Sequence, residues 1–249
     1  MTEHPTDEEL LRFAAEADSA GARHVSECPG CAARQQELLN EARTRGSAET
    51  EGFARGKSAL GRGDHRDARR IFEGEIQRLE RANDLPILGR LHHELALACV
   101  GSQDLEAAEQ NFAKAAAIFS RLDMPDELRS SAWGRAQLLL RSDQFIVAIS
   151  ELRSLADDFE DAELLEQAGL CRLDLTEALL AQGEIEQAER AIRAALENFR
   201  AIDLDHRATT ALSYLYQTLQ GGYGSRQAIE RVRRFLATLG LGSPVRPAE

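Results

Sequence analysis

Residues 96–119 read ALACVGSQDLEAAEQNFAKAAAIF, two apolar stretches of helical period joined by a short polar turn. Small residues stand at Ala96 and Ala108, and large aromatic residues follow at Phe112 and Phe119. The dipeptide Gln103-Asp104 between the two stretches is suited to stopping one helix and capping the next. The segment therefore predicts a helical hairpin, with helix A before the turn and helix B after it.

The same pattern recurs with a spacing of 40 residues along most of the chain. The alanine of helix B is repeated at Ala68, Ala108, Ala148, Ala188 and Ala228. Large apolar residues follow it in two columns. The column four residues later is Phe72, Phe112, Leu152, Ile192 and Val232, and the column eleven residues later is Leu79, Phe119, Phe159, Phe199 and Leu239. Two columns of helix A precede it. The column twelve residues earlier is Gly56, Ala96, Ala136, Thr176 and Tyr216, and the column nine residues earlier is Ala59, Cys99, Leu139, Leu179 and Leu219. Small residues where helices cross and large ones in the grooves are what stacked hairpins require.

Turn residues interrupt the apolar pattern once in each repeat. They are Gly63-Asp64, Gln103-Asp104, Asp143-Gln144, Gly183-Glu184 and the glycine-rich stretch 221–224. The sequence from 51 to 240 therefore predicts five helical hairpins, with atypical first and last units of the kind that cap a repeat array.

This pattern of a small residue, then alanine, then an aromatic residue resembles tetratricopeptide repeats, although the period of 40 is longer than the usual 34. The resemblance implies a right-handed α-solenoid in which helix A lines a groove for a peptide or helix of a second protein. By register with that family, the groove positions are Phe53, Lys57, Arg90, His93, Trp133, Gln137, Arg141 and Glu177. Trp133 is the only tryptophan. Its two interpretations, a partner contact and core packing between helices, both remain open.

A second motif lies near the start of the chain, where His24 precedes Cys28-Pro29-Gly30-Cys31. The Pro-Gly bend lets both sulfurs reach one ion, and His24 lies one helical turn before Cys28. The nearest unused candidate for a fourth ligand is His4, so the predicted site is His4, His24, Cys28 and Cys31. Four protein ligands make it a closed, structural zinc site. A metal-free redox dithiol and incidental cysteines are the alternatives.

Residues 4–13 together with this motif resemble the zinc-binding domain of anti-sigma factors over residues 1–45. The resemblance implies that His24, Cys28 and Cys31 are ligands and that His4 is the upstream fourth. It also implies that the domain wraps a bacterial sigma factor of the extracytoplasmic-function type and blocks its access to RNA polymerase. Domains of this family also serve as plain structural modules in multidomain bacterial proteins.

Local signals complete the predicted domain plan. Thr6 and Glu9 form a capping-box pattern, and a helix is predicted to start at the cysteine knuckle. A linker at 46–50 separates the zinc domain at 1–45 from the repeats at 51–240, and a flexible tail follows at 241–249. Met1 to Phe13 lacks the basic start and apolar core of a signal peptide, so we expect a cytoplasmic protein.

Composition narrows the functional classes. The net charge of -12 disfavours direct binding of nucleic acid, and no apolar stretch approaches the 20 or so residues that span a membrane. An acidic surface can complement a sigma factor, but it can equally be a solvated face. Cys99 and Cys171 are predicted to be buried core residues. His92-His93-Glu94 has the wrong spacing for a zinc protease, and no other enzyme motif is present.

Two classes of function remain after these exclusions. The first is a cytoplasmic anti-sigma-like regulator whose repeats receive a second protein, with release by that partner or by proteolysis in the linker near residues 43–51. The second is a tetratricopeptide scaffold in which the zinc module is only structural.

Overall fold

The computed structural model describes residues 4–15, 20–45, 50–79, 84–203, 205–222 and 224–241. Within these ranges the chain forms thirteen α-helices and no β-strand. Of the predicted linker at 46–50 and the predicted tail at 241–249, only Thr50 and Leu241 lie inside the described residues.

The helices follow one another along the chain with short connections. Their bounds are α1 Asp7–Ala15, α2 Ala20–Glu27, α3 Pro29–Arg45, α4 Glu51–Gly61, α5 His65–Leu79, α6 Leu85–Gly101, α7 Leu105–Arg121, α8 Pro125–Arg141, α9 Phe145–Asp161, α10 Leu165–Ala181, α11 Ile185–Ala201, α12 His206–Gln220 and α13 Arg226–Thr238.

The chain divides into two compact units, Met1–Ser131 and Ala132–Glu249. In the first unit α1, α2 and α3 pack on one another, and α4 to α7 pack as consecutive neighbours. In the second unit α9 packs on α10, α10 on α11, and α11 on α12. Packing of each helix on the next is consistent with a helical-repeat solenoid, and it confirms the all-α prediction over the described residues.

The columns of the 40-residue pattern form the core within each unit. Ala68, Ala108, Ala148 and Ala188 are all fully buried, as the predicted helix crossings require. The aromatic column is buried at Phe119, Phe159 and Phe199, and each such ring contributes about 1.5–3 kcal/mol through loss of water contact. The last copy fits least well, since Ala228 and Leu239 are only partly buried.

The turns share one hydrogen-bonded geometry. After α6, the backbone N–H of Asp104 donates to the Cys99 carbonyl at 2.9 Å and that of Gln103 donates to Val100 at 3.1 Å. These two bonds define a Schellman motif, in which the penultimate residue takes a left-handed conformation. Gln103 has a φ of 62°. All the predicted turns up to Gly183-Glu184 carry the same pair of bonds.

The same turn also separates one hairpin from the next, which the sequence pattern did not predict. Left-handed residues recur every twentieth position at Gln103, Asp123, Asp143, Glu163, Gly183 and Asp203. Helices α6 to α11 are each 17 residues long. One 17-residue helix and a three-residue turn therefore form the unit that repeats along this part of the chain, and alternate helices carry the A and B patterns.

None of the helices in the described ranges is both long and apolar enough to cross a lipid bilayer.

Candidate functional site

Four predicted ligands come together in the N-terminal part of the first unit. One ligand atom from each of His4, His24, Cys28 and Cys31 lies within 4.8 Å of all the others. The Cys31 sulfur is 3.2 Å from Nδ1 of His4 and 3.4 Å from Nε2 of His24, and the Cys28 sulfur is 3.8 Å from Nδ1 of His4. Residues up to 27 positions apart thus converge on one point.

The three sulfur–nitrogen separations of 3.2–3.8 Å lie close to the edge lengths of a metal tetrahedron. Zinc bonds of about 2.0–2.1 Å to nitrogen and about 2.3 Å to sulfur place neighbouring ligand atoms about 3.3–3.8 Å apart. Two imidazoles and two thiolates are also a donor set that suits zinc. The four side chains can therefore together hold a metal ion, and they leave none of four tetrahedral positions open.

Local helix geometry positions three of the ligands. The Cys28 backbone N–H donates to the His24 carbonyl at 2.9 Å, so these two side chains leave the chain one helical turn apart at the end of α2. Pro29 then opens α3, where its fixed backbone angle suits the first helical position. Cys31 lies in this first turn of α3, as the predicted start of the helix at the knuckle requires.

The fourth ligand is positioned by contacts that fix the start of α1. The predicted capping box is confirmed, because the Thr6 N–H donates to the Glu9 carboxylate at 2.9 Å and the Glu9 N–H donates to the Thr6 hydroxyl at 3.3 Å. Arg34 of α3 then donates two hydrogen bonds to the Asp7 carboxylate, at 3.0 and 2.7 Å. The motif had not indicated this bidentate pair, which holds the segment of His4 against the helix of Cys31.

A small apolar core adjoins the candidate ligands and includes one of them. It consists of Leu10, Val25, Cys31 and Leu38, with Phe13 packed at its edge. So few apolar residues supply little folding free energy, and a bound metal would add the missing stabilisation.

The two knuckle cysteines differ in their electrostatics, because burial raises the pKa of Cys31 whereas a backbone hydrogen bond favours the thiolate of Cys28. The backbone N–H of Cys31 donates to the Cys28 sulfur and lowers the pKa of Cys28 below its usual value. Hydrogen bonds to the charged form of a group favour that form. Because metals bind thiolate rather than thiol, this amide prepares Cys28 for ligation.

Further contacts join this N-terminal module to the repeats inside the first unit. Helix α1 packs against α7, and α3 packs against α6. At the first of these contacts, Arg121 at the end of α7 donates to the Phe13 carbonyl at 3.2 Å. Helix α3, which carries Cys31, and helix α1, which follows His4, thus contact the second hairpin directly.

The predicted groove residues of the first unit are spread between core and surface. Phe53 is buried, while Lys57 is exposed, with its Nζ 3.7 Å from Glu94. Arg90 donates to Glu127 of α8 at 3.1 Å. His93 Nδ1 lies 3.0 Å from the Ser131 hydroxyl, and burial lowers the pKa of His93 to about 4. Their role in binding a partner stays a prediction.

Three of the predicted groove residues of the second unit are held in one polar cluster around Asp174. Trp133 Nε1 and Gln137 Nε2 each donate to Asp174 at 2.7 Å, and Arg233 of α13 bridges Asp174 and Glu177. Burial raises the pKa of Asp174 and lowers that of Arg141. The sequence interpretation missed Asp174, although an acidic residue between Leu173 and Leu175 in GLCRLDLTEALL is itself an indication of a buried polar contact.

The two remaining cysteines belong to the core, as predicted. Cys99 and Cys171 are 1% and 0% exposed, and burial raises the pKa of both thiols. Such thiols behave as small apolar side chains.

Comparison with known proteins adds no relative. No protein-family model matches the chain, and no curated protein is significantly similar to it in sequence.

Proposed function

We propose that this protein is a zinc-binding regulator of the anti-sigma type. In this proposal the module at residues 4–45 holds one structural Zn²⁺ and binds a sigma factor of the extracytoplasmic-function type. The repeat helices receive a second protein whose binding controls release, and no step of catalysis is involved. The observation that carries the proposal is the cluster of four ligand atoms within 4.8 Å at a His-x3-Cys-x2-Cys knuckle.

The chemistry of the donor set supports a structural role for the metal. Four protein ligands leave no position for a reacting water, and one of them, Cys31, belongs to a small apolar core. The residues of this chain hold the metal, orient His4 through Asp7 and Arg34, and fix the relative positions of α1, α2 and α3.

The assignment of the metal site is tested by measuring the zinc content of the purified full chain by inductively coupled plasma mass spectrometry. We expect one zinc per chain for the wild type and for Cys99→Ala, and none for Cys28→Ser combined with Cys31→Ser. The Cys99→Ala control removes a thiol outside the cluster. Equal zinc content in the two variants would contradict the assignment of the ligands.

Sigma-factor binding is tested in a transcription assay with the full chain and extracytoplasmic-function sigma factors of its source organism. We expect the wild type to lower transcription from one cognate promoter at least tenfold, and the Cys28→Ser, Cys31→Ser variant to lose this effect. If no sigma factor responds although zinc is bound, the regulator is excluded and the metal assignment stands.

The second candidate function is a scaffold in which zinc only stabilises the N-terminal module. One observation favours it, namely that α1 and α3 pack against α7 and α6, with Arg121 bound to the Phe13 carbonyl. A module of this kind covers the side of a repeat helix and acts as a cap. Affinity capture separates the candidates, because a scaffold retains its partners when the sigma-factor assay is negative.

A further inference from the structure

The last helix of the second unit does not pack as a helix B of the repeat pattern. Helix α11 contacts α10 and α12, as a helix B between two helices A should. Helix α13 contacts the same two helices. Because α11 already covers one face of α10 and α12, α13 lies on another face of the same pair.

Side chains of α10 identify that second face. Arg172 donates to Asn198 of α11 and to Glu160 of α9, so it marks the face that the B helices cover. Asp174 and Glu177 follow at about 200° and about 140° around the helix from Arg172. Both of these carboxylates bind α13 instead. In the tetratricopeptide register this face carries the predicted groove positions.

Two arginines of α13, seven residues apart, make the ionic contacts. Arg233 donates to Asp174 at 2.5 Å and also to Glu177. Arg226 donates to Glu177 at 3.1 Å, and its guanidinium lies 3.6 Å from Asp143. Seven residues are two helical turns, so both guanidinium groups project from one side of α13.

Apolar residues of the same helix complete the contact. Ile229, Val232 and Leu236 are buried in the core of the second unit. The segment that occupies this face is therefore a cationic amphipathic helix, with arginines at positions 226 and 233 and apolar residues at 229, 232 and 236.

The face needs a cation. Asp174 is only 1% exposed and already accepts hydrogen bonds from Trp133 and Gln137. A buried carboxylate without a positive partner is strongly destabilising, so an occupant that brings guanidinium groups is favoured over an apolar one. The match with α13 is nevertheless incomplete, because among the described residues the buried Nε of Arg233 has no hydrogen-bond partner.

Two further features make α13 replaceable. Its connection to α12 begins with Gly221-Gly222, where Gly222 has a φ of 77°, and Gly224 follows. A buried ion pair also contributes little net stability, because the loss of hydration offsets most of the attraction. A second helix that brings the same charges and the same apolar residues can make equivalent contacts on this face.

We propose that the face formed by Trp133, Gln137, Asp174 and Glu177 binds a cationic amphipathic helix of a partner protein, and that α13 is an internal ligand which this helix displaces. The partner carries two arginines seven residues apart with apolar residues between them. The proposal rests on the proposed role of the repeats in receiving a second protein, and it does not depend on what the metal module binds.

Trp133, the only tryptophan, provides a direct readout in the full chain because its ring nitrogen is bonded to Asp174. We expect Arg226→Glu combined with Arg233→Glu to expel α13 and to shift the fluorescence of Trp133 to the red. The matched control is Arg231→Glu combined with Arg234→Glu, which reverses two exposed charges on the same helix. The control should keep the wild-type emission.

Binding is then measured with a synthetic peptide of residues 224–241, followed by fluorescence anisotropy. We expect the peptide to bind the Arg226→Glu, Arg233→Glu chain about tenfold more tightly than the wild type, where α13 competes, and to restore the emission of Trp133. A peptide with alanine at both arginine positions should bind at least about tenfold more weakly, because it leaves Asp174 without a cation.

Equal binding of the two peptides, or an unchanged Trp133 emission in the charge-reversed chain, would overturn the proposal. If charge reversal abolishes helical circular dichroism, the wild-type chain is titrated with each labelled peptide, and the anisotropy should rise only for the arginine peptide, which alone reproduces the contacts of α13. A concentration-dependent dimer of the chain alone that the arginine peptide dissociates would identify a second copy as the occupant and exclude a partner helix. Failure of the sigma-factor assay leaves all of these results unaffected.

Discussion

At the scale of single residues, the environment of His93 links burial to pH. Its ring packs edge-on against Phe112 with 5.6 Å between the ring centroids, and Nδ1 lies 3.0 Å from the Ser131 hydroxyl. Burial, with a smaller effect from the nearby Lys57 charge, lowers the pKa of His93 from 6.5 to about 4. The folded chain therefore holds this imidazole neutral where the unfolded chain protonates it.

We predict that part of the stability is lost through His93 as the pH falls from 6.5 to 4. In this interval the unfolded state binds a proton at this site and the folded state does not, so the free energy of unfolding decreases, by about 3 kcal/mol in total. Urea unfolding at several pH values measures the loss. His93→Gln, which can still bond to Ser131, should lose about 3 kcal/mol less over the same range. If the free energy of unfolding depends on pH in the same way for the wild type and for His93→Gln, the prediction is contradicted.

Individual ligands differ in how far the sequence could predict their positions. His24, Cys28 and Cys31 are close in the chain, so their convergence follows from one helical turn and one Pro-Gly bend. His4 was predicted only as the nearest unused candidate, and its place depends on the pair between Asp7 and Arg34, 27 residues apart. Such a pair between two surface residues has no local signal.

At the scale of elements, the turns combine glycine with non-glycine residues in one backbone conformation. Gly183 has a φ of 76°, and Glu163 reaches a φ of 59° in the equivalent position. A residue with a Cβ atom is strained in this region by about 1–2 kcal/mol, whereas glycine is not.

We predict opposite effects for two substitutions in these turns. Gly183→Ala should lower the free energy of unfolding by about 1 kcal/mol, purely through strain, since a Cβ there would meet no atom within 4 Å. Glu163→Gly should raise it by about 0.5 kcal/mol, because relief of strain exceeds the added freedom of the unfolded chain. Urea midpoints measure both effects. Equal signs for the two variants would show that the turns are not equivalent.

Glycines within helices mark close approaches between elements. A Cβ on Gly169 of α10 would lie 2.8 Å from the ring of Phe199 of α11, whereas a Cβ on Gly74 of α5 would meet nothing within 4 Å. Gly89 has the same relation to Phe119 in the first unit. Gly89 and Gly169 are 80 residues apart, two full repeats, and each makes room for an aromatic ring.

We predict that Gly169→Ala lowers the free energy of unfolding by about 1–3 kcal/mol, because the aromatic ring must move away from its packed position. The matched control Gly74→Ala should raise it by about 0.5–1 kcal/mol through the better helix propensity of alanine. Thermal unfolding followed by circular dichroism distinguishes the two. A stabilising Gly169→Ala would mean that α10 and α11 are less closely packed than described.

The sequence predicted the turns inside the hairpins better than those between them. Gly63, Gly183 and the glycine-rich stretch at 221–224 are recognisable helix stops. Asp123 and Glu163 are not, because charged residues occur throughout helix surfaces. The backbone φ angles show that left-handed residues recur every 20 positions, and only this spacing shows that these two positions also end helices.

At the scale of the whole molecule, the two units differ in whether they contain the four candidate metal ligands. The ligands belong to the first unit, where α1 also contacts α7. The second unit has its own extensive core, from Trp133 to Leu241, with none of the four ligands in it.

We predict that a zinc chelator raises amide hydrogen exchange about tenfold or more in α1 to α3, and measurably at the end of α7 around Arg121. Metal binding and folding of so small a module are coupled, whereas repeat helices stabilise one another. Exchange in α9 to α12 should stay unchanged. Mass spectrometry of peptides from the labelled chain measures this, and the Cys28→Ser, Cys31→Ser variant should not respond to the chelator. Equal acceleration in both units would contradict the prediction.

The sequence predicted the organisation of the whole chain to the extent that this organisation follows the 40-residue repeat. The alanine and aromatic columns predicted an all-helical repeat architecture because each position has the same packing role every 40 residues. The position of α13 was not accessible, since Arg233 meets Asp174 and Glu177 across 59 and 56 residues and departs from the repeat pattern that predicts the other helices.

The equal length of helices α6 to α11 has a consequence for how this chain tolerates changes in length. Duplication or deletion of 40 residues adds or removes one whole hairpin. Each remaining helix then still packs against a neighbour with the expected A or B pattern. A change of 20 residues preserves every turn and every helix end, yet it places helix A patterns where helix B patterns belong. Natural or engineered variants of this protein should therefore grow and shrink by pairs of helices.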